Sequence, residues 1–247
     1  TDFLKRGKLR TVVVALIALA GLSGIGLGVY QFWPKTDNPP QVLKIERLTT
    51  NGRTSDAAIS PDGKFVVYVV DEDGQQSLWT RQVAANSSIQ IIPAAHVNYR
   101  GLGFSPDSNY INFVKEENQD VPPSLYQMPA LGGVQKKLIS NIFGTMSYSP
   151  DGKEVGYLRP RFPSLEESSL LVANPDGSGE RILISIKRPD VFPSSANQSP
   201  TWSPDGKSIA AIVRNISSNE TSIGAIQVAD GSLKTMAAPN FKVIARL

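Results

Sequence analysis

Few side chains in this 247-residue chain are of a type and spacing that could carry chemistry. The one histidine, His96, stands in Pro93-Ala94-Ala95-His96-Val97 and reads as an ordinary loop or strand-edge residue. A serine hydrolase needs a nucleophile, a base and an orienting acid, and no Gly-x-Ser-x-Gly elbow occurs. Zinc would draw on clustered His or Cys, and the absence of Cys also excludes disulfides and thiolate chemistry, while saying little about compartment. Asp71-Glu72-Asp73-Gly74 has the opening acids of a calcium loop without its downstream bidentate glutamate, so a solvated hairpin turn is the better reading. Arg159-Pro160-Arg161 and Lys187-Arg188 could join as a cationic patch for an anionic ligand, against which scattered surface charge is the simpler account. Glu116-Glu117 and Glu166-Glu167 read as exposed loop acids. No catalytic residue, cofactor or metal site is expected.

The elements that would position such groups are clearer. Four copies of one phrase recur: Ser60-Pro61-Asp62-Gly63, Ser105-Pro106-Asp107-Ser108, Ser149-Pro150-Asp151-Gly152 and Ser203-Pro204-Asp205-Gly206, at intervals of 45, 44 and 54 residues. Proline presets φ at the second position of a type I turn, and glycine suits its last position. A large apolar residue precedes each copy (Ile59, Phe104, Tyr148, Trp202), and an alternating apolar run follows. Two further apolar stretches complete each unit, making about four strands, as a propeller blade requires. The longer third interval predicts an extra loop over Lys187–Ser199. No helical periodicity appears after residue 40, so residues 44–247 are expected to be an all-β propeller. The turn residues Asp62, Asp107, Asp151 and Asp205 are expected to serve folding, each side-chain-to-backbone bond contributing about 1 kcal/mol. Ile45–Thr50 resembles a closing strand without its partners, and Asn240–Leu247 an opening strand without its turn. With Thr1 in place of Met, these ends lead us to expect part of a longer chain and a larger ring.

Before the blades, Thr11–Phe32 carries no formal charge over 22 residues, enough to cross a hydrocarbon core of roughly 30 Å as a helix. A transmembrane helix is therefore expected over 11–33, between a basic flank over 1–10 and a linker over 34–43. A cleaved signal peptide is the rival reading, but no Ala-x-Ala-like cleavage site is evident. Lys5, Arg6, Lys8 and Arg10 on one side against Lys35 on the other put the N-terminus in the cytoplasm and the blades outside. Ala20, Gly24 and Gly28 would line one helix face and could support self-association, although Gly and Ala are common in such spans. From Gln41 onward Lys plus Arg balance Asp plus Glu, 20 against 20. The net charge of +3 thus belongs to the membrane flank, and no nucleic-acid partner is expected.

Apolar-Ser-Pro-Asp-Gly-Lys-x-apolar at Ile59–Val66, Tyr148–Val155 and Trp202–Ile209 resembles the TolB-type, WD-like propeller repeat, also found in relatives of dipeptidyl peptidase. Ile45–Val83, Tyr99–Phe104 and Asn174–Arg181 look, more narrowly, like the extracytoplasmic half of large bacterial one-pass regulators. In proteins of that kind a cytoplasmic serine/threonine kinase domain, or a winged-helix DNA-binding domain, precedes the span. The second phrase departs from the pattern, with Ser108 for Gly and Asn109 for Lys. The resemblance implies a ring of six or seven blades in the bacterial inner membrane, its propeller periplasmic or extracellular. The leading expectation is a non-catalytic sensory module for an unidentified ligand or protein, signalling to a kinase. The alternatives are the same propeller behind a winged-helix domain, a TolB-like envelope scaffold, and the gate of a prolyl-peptidase-type hydrolase. TolB-type scaffolds are exported without an anchor, which weighs against that alternative. Recognition is expected in the variable loops Ala94–Arg100, Lys115–Ser124, Arg159–Ser168 and Lys187–Gln198.

Overall fold

The computed structural model describes residues 52–85, 87–118, 120–193 and 199–236. The basic flank 1–10, the span 11–33 with Ala20, Gly24 and Gly28, the linker 34–43, Ile45–Thr50 and Asn240–Leu247 lie outside them. Among the described residues no helix is long and apolar enough to cross a membrane. The chain divides into units Thr1–Leu48 and Thr49–Leu247, and every described residue belongs to the second.

That unit is built of antiparallel sheets that follow the repeat. The first contains β1 (Thr54–Ile59), β2 (Phe65–Glu72), β3 (Gln75–Gln82) and β4 (Ser87–Ala95), paired in that order. The second contains β5 (Asn98–Phe104), β6 (Tyr110–Glu116), β7 (Ser124–Pro129) and β8 (Lys136–Ser140). The third contains β9 (Ser147–Tyr148), β10 (Val155–Pro160), β11 (Glu167–Ala173) and β12 (Arg181–Lys187). The fourth has five pieces: β13 (Asp190–Val191), β14 (Thr201–Trp202), β15 (Ser208–Asn215), β16 (Thr221–Gln227) and β17 (Leu233–Met236). Here the structure departs from the expected loop over Lys187–Ser199. Asp190 pairs with Asn215 and Trp202 with Ile209, so β13 and β14 lie on one edge of β15 as two pieces of one inner strand. The extra residues are thus inserted within the first strand of that sheet, not simply between blades.

The continuous apolar runs are explained by stacking of one blade on the next, which buries both faces of the middle strands. Val67, Leu78, Ile111, Phe113 and Met128 fill the layer between the first and second blades, where Tyr99 meets Phe113 edge-on at 5.6 Å. Leu125, Ile139, Val155, Tyr157 and Leu171 fill the next layer. Leu158, Leu170, Phe192, Trp202, Ile209 and Ile226 fill the third. The apolar residues before the turn phrases do not share one fate. Trp202 donates from Nε1 to Ser147 O at 3.2 Å in the preceding blade, and the Tyr148 hydroxyl accepts from Asn112 Nδ2 at 3.0 Å. Ile59, with no described blade before it, is 63% exposed.

A second contact between blades recurs at the opposite edge. The turn joining the last two strands of one blade leans on the outer strand of the blade before it. A Cβ on Gly132 would meet Ile91 Cγ2 at 3.4 Å, one on Gly177 would meet Leu138 O at 2.4 Å, and one on Gly231 would meet Leu183 O at 2.2 Å. Gly231 also has φ +71°, which disfavours any side chain. Gly63, with φ +70°, has nothing within 4 Å of its would-be Cβ. Gly63→Ala is therefore expected to cost only the conformational penalty, about 1 kcal/mol. Gly231→Ala adds a clash with backbone that cannot rotate away, and the loss should exceed that of Gly63→Ala by at least about 1 kcal/mol. Urea unfolding of the two variants compares them; equal losses would show that the turn does not press on its neighbour.

Candidate functional site

Antiparallel meanders sort the connections between strands into two ends. Turns β1–β2 and β3–β4, with their counterparts, fall at one end. The β2–β3 connection, its counterparts and the crossings between blades fall at the other. All four Ser-Pro-Asp phrases occupy the first end, and the variable loops Ala94–Arg100 and Arg159–Ser168 with the described residues of Lys115–Ser124 occupy the second; Lys187–Gln198, described as far as Pro193, includes β13.

At the turn end each serine is a hub. Ser149 O accepts from Gly152 N at 2.9 Å, and Ser149 N donates to Glu154 O at 2.8 Å. Its hydroxyl donates to Asp151 Oδ1 at 2.7 Å and accepts from Glu154 N at 3.0 Å. Asp151 Oδ1 also accepts from Lys153 N at 3.1 Å. Ser60, Ser105 and Ser203 repeat the pattern with Asp62, Asp107 and Asp205. Ser60, Ser105 and Ser149 are buried. The departure at Ser108 leaves the turn intact: Ser108 adopts φ 64° and Asn109 Nδ2 donates to Asp107 Oδ2 at 2.7 Å. Neighbouring phrases also touch. Asp62 N donates to Ser108 Oγ at 3.3 Å, and a Cβ on Gly206 would lie 3.7 Å from Pro150 Cδ. These residues are structural. Their carboxylates are held charged by the serine hydroxyls first and by backbone N–H groups second; Asp62 is lowered to about 2, and Asp107, Asp151 and Asp205 are lowered as well.

The loop end carries open clefts between successive blades. Between the first and second, Asp71, Gln76, His96, Glu116, Glu117 and Asn118 line one of about 510 Å³. Asp120, Val121, Pro122, Phe143, Pro160 and Arg161 contribute to one of about 480 Å³ between the second and third. The third, of about 250 Å³, is lined by Arg161, Leu165, Glu166, Arg188, Phe192 and Arg214, among others. His96 is exposed, and its Nε2 lies 3.1 Å from Gln75 Nε2. Asp73 and Gly74 both have positive φ and form the tight β2–β3 hairpin, Asp71 Oδ1 accepting from Gly74 N at 3.1 Å. Among the described residues no three acidic or histidine side chains converge on a metal position.

The charged pairs resolve differently from the sequence reading. Arg159 is no surface charge: it is buried and pairs in bidentate fashion with Glu180, both contacts at 2.7 Å. Its Nε and Nη2 also donate to Asn141 O and Ser140 O of the blade before, at 3.1 and 3.2 Å. The guanidinium lies over the Phe162 ring at 4.8 Å, and Tyr157 donates its hydroxyl proton to Glu180. Arg159 therefore clamps two blades together and leaves the candidate patch. Nor are the acids all loop residues. Glu116 ends β6, half-buried and paired with Arg100; Glu167 opens β11, accepting from Ser164 Oγ at 2.9 Å with Lys187 Nζ at 3.6 Å. Glu117 pairs with Lys115 at 2.8 Å and Glu166 with Arg188 at 3.6 Å. Arg161 and Arg188 do come together, joined by Arg214, to which no sequence signal pointed.

No protein-family model matches the sequence, nor does any curated protein. Solved structures do match. TolB from Acinetobacter baumannii aligns with a TM-score of 0.56 at 22% identity, over 74% of this chain and 43% of that one. An oligogalacturonate lyase in complex with manganese gives 0.56 at 17% identity, over 76% of this chain and 54% of the other. A prolyl endopeptidase gives 0.54 at 14% identity, over 76% and 30%. The fold is that of a TolB-like propeller. The likeness is one of fold alone, and the chain spans less than two thirds of the length of each of these proteins.

Two outcomes follow from the turn geometry. Ser149→Ala strands the Glu154 N–H and removes a donor from Asp151, and is expected to cost about 1–3 kcal/mol in urea unfolding. The aspartates' folded pKa values lie below the unfolded 3.8, so their contribution is complete above that pH and lost as pH falls from about 4 towards 2. Stability followed by near-ultraviolet circular dichroism should fall through that window, and less steeply in Asp62→Asn. An unchanged slope would show that the carboxylate is not held charged by its turn.

Proposed function

We propose that residues 44–247 form a non-catalytic extracytoplasmic binding module that engages a ligand or protein through its loop end. One observation carries this reading: the connections that vary in length and composition, and the clefts between blades, share one end, while the four repeated turns share the other. A rigid stacked scaffold with variable loops at one rim is how such a ring presents a recognition surface. In this reading the span 11–33 anchors the module in the bacterial inner membrane with its N-terminus in the cytoplasm. The module is the sensory half of a signalling protein whose output domain is a serine/threonine kinase. The uncharged stretch and its four-to-one basic flank support the anchor; the regulator-like sequence stretches support the output domain. A TolB-like envelope scaffold is the second reading, favoured by the fold match to TolB.

Two experiments test these claims. A photo-crosslinking side chain placed at Val121 or Leu165 on the loop end should capture partners in cells, whereas one at Lys64 or Lys153 on the turn end should not. Adducts from the turn end alone would overturn the binding surface. Because the sequence contains no cysteine, single cysteines report topology cleanly. A membrane-impermeant maleimide should label Val134→Cys, a position 84% exposed, on intact spheroplasts, and Lys8→Cys only after lysis. The reverse pattern would contradict the anchor's orientation.

A further inference from the structure

The loop end is electrically uneven. The cleft between the first and second blades is lined by Asp71, Glu116 and Glu117 and by no lysine or arginine. The cleft between the third and fourth is lined by Arg161, Arg188 and Arg214 against Glu166 and Glu167. Both of those acids are already engaged, Glu166 by Arg188 and Glu167 by Lys187, each at 3.6 Å. Arg214 has a neutral partner, Asn219 Oδ1. Arg161 has no partner among the described residues. It is exposed at the start of the β10–β11 loop in a left-handed conformation, φ 52°, that a residue with a Cβ rarely adopts. It lines this cleft and also the one between the second and third blades. Large apolar side chains stand exposed beside it: Leu165 at 73%, Ile216 at 48% and, on the other side, Val121 at 45%.

Resting on the loop-end reading above, we infer that Arg161 is the anchor for an extended segment of a partner protein in which an acidic side chain neighbours an apolar one. The carboxylate takes the guanidinium fork, whose planar donors match its two oxygens. The apolar neighbour covers Leu165 and Ile216. Because Arg161 faces clefts on both sides of its loop, the segment continues in both directions and is internal to its chain. A phosphate dianion would call for a second free cation beside Arg161, and Arg188 and Arg214 already have partners in Glu166 and Asn219.

The test is selection from a random-peptide library displayed on phage, against the full 247-residue chain in mild detergent. Enriched peptides should carry Asp or Glu next to Leu, Ile or Phe. A fluorescein-labelled copy of one should bind about tenfold more weakly to Arg161→Ala, the scale of one charge-assisted contact. Arg161→Lys should recover only part of that loss, and Arg161→Glu should bind a peptide with its acid changed to Lys. Thermal unfolding of these variants should match the parent, because the exposed side chain makes no hydrogen bond or ion pair among the described residues. An empty selection, enriched peptides without acids, or binding indifferent to Arg161→Ala would overturn the inference. If that indifferent peptide is displaced by Glu117→Lys, the loop-end reading survives and this inference fails. If Lys64→Glu or Lys153→Glu alone displaces it, both fail.

Discussion

The hydrogen bond from a serine hydroxyl to an aspartate two residues on, repeated at Ser60, Ser105, Ser149 and Ser203, is the interaction on which the other elements depend. It closes the turn between the first two strands of every described blade. The same hydroxyl also accepts the N–H five residues on, the first of the following strand in three blades and the one just before β10 in the third, so one side chain fixes both where the turn ends and where the ladder begins. Removing it would leave a backbone donor without its acceptor and take one donor from the carboxylate, which keeps the backbone N–H two residues on. Because the phrases of neighbouring blades touch, the constraint passes from blade to blade along the turn end. The glycine turns at Gly132, Gly177 and Gly231 and the bonds from Arg159 to Ser140 O and Asn141 O add further joints between blades. Stacking of apolar faces supplies most of the stabilisation; these polar joints set the register in which the faces meet.

With one end committed to holding the blades, the other is free to vary. Loops there range from the two-residue turn at Asp73-Gly74 to the connection at 117–123, without disturbing strand pairing. Each loop borders a cleft between blades, so a change in one loop reshapes a binding surface and not the core. The separation is what allows a stable scaffold to carry a changeable recognition face. Charge is distributed unevenly on that face: no lysine or arginine lines the cleft between the first and second blades, while three arginines line the one between the third and fourth beside Glu166 and Glu167.

Much of the fold was legible in the sequence, because turn phrase and strand period repeat with a spacing that few architectures share. What the sequence concealed lies between blades. The phrase shows why Pro and Gly suit the turn, but not that the serine bonds both the aspartate and the next strand. Gly231 looks like any turn glycine until Leu183 O, in another blade, is placed against it. Arg159 and Arg161 stand two residues apart and look alike in the chain. One finds Glu180 across the blade and is buried; the other, just past the end of β10, has no partner among the described residues, and what separates them is the carboxylate 21 residues away from Arg159. The insertion at Lys187–Ser199 was visible, yet its place inside an inner strand was not, since β13 and β14 are each two residues long and lack a periodic signal.

The central claim, that the turn end is the rigid frame and the loop end the adaptable face, is tested most directly by native-state amide hydrogen exchange. The account predicts that the N–H groups of Phe65, Tyr110, Glu154 and Ser208, each bonded to a hub serine, exchange among the slowest in the chain. Amides of Glu117, Asn118, Arg161 and 164–166 at the loop end should exchange orders of magnitude faster, whereas Asp120, Val121 and Phe162 are slowed by the hydrogen bonds they donate to Asn118 Oδ1 and Glu167 O. Turn-end amides that exchange as fast as those of the loop end would contradict it.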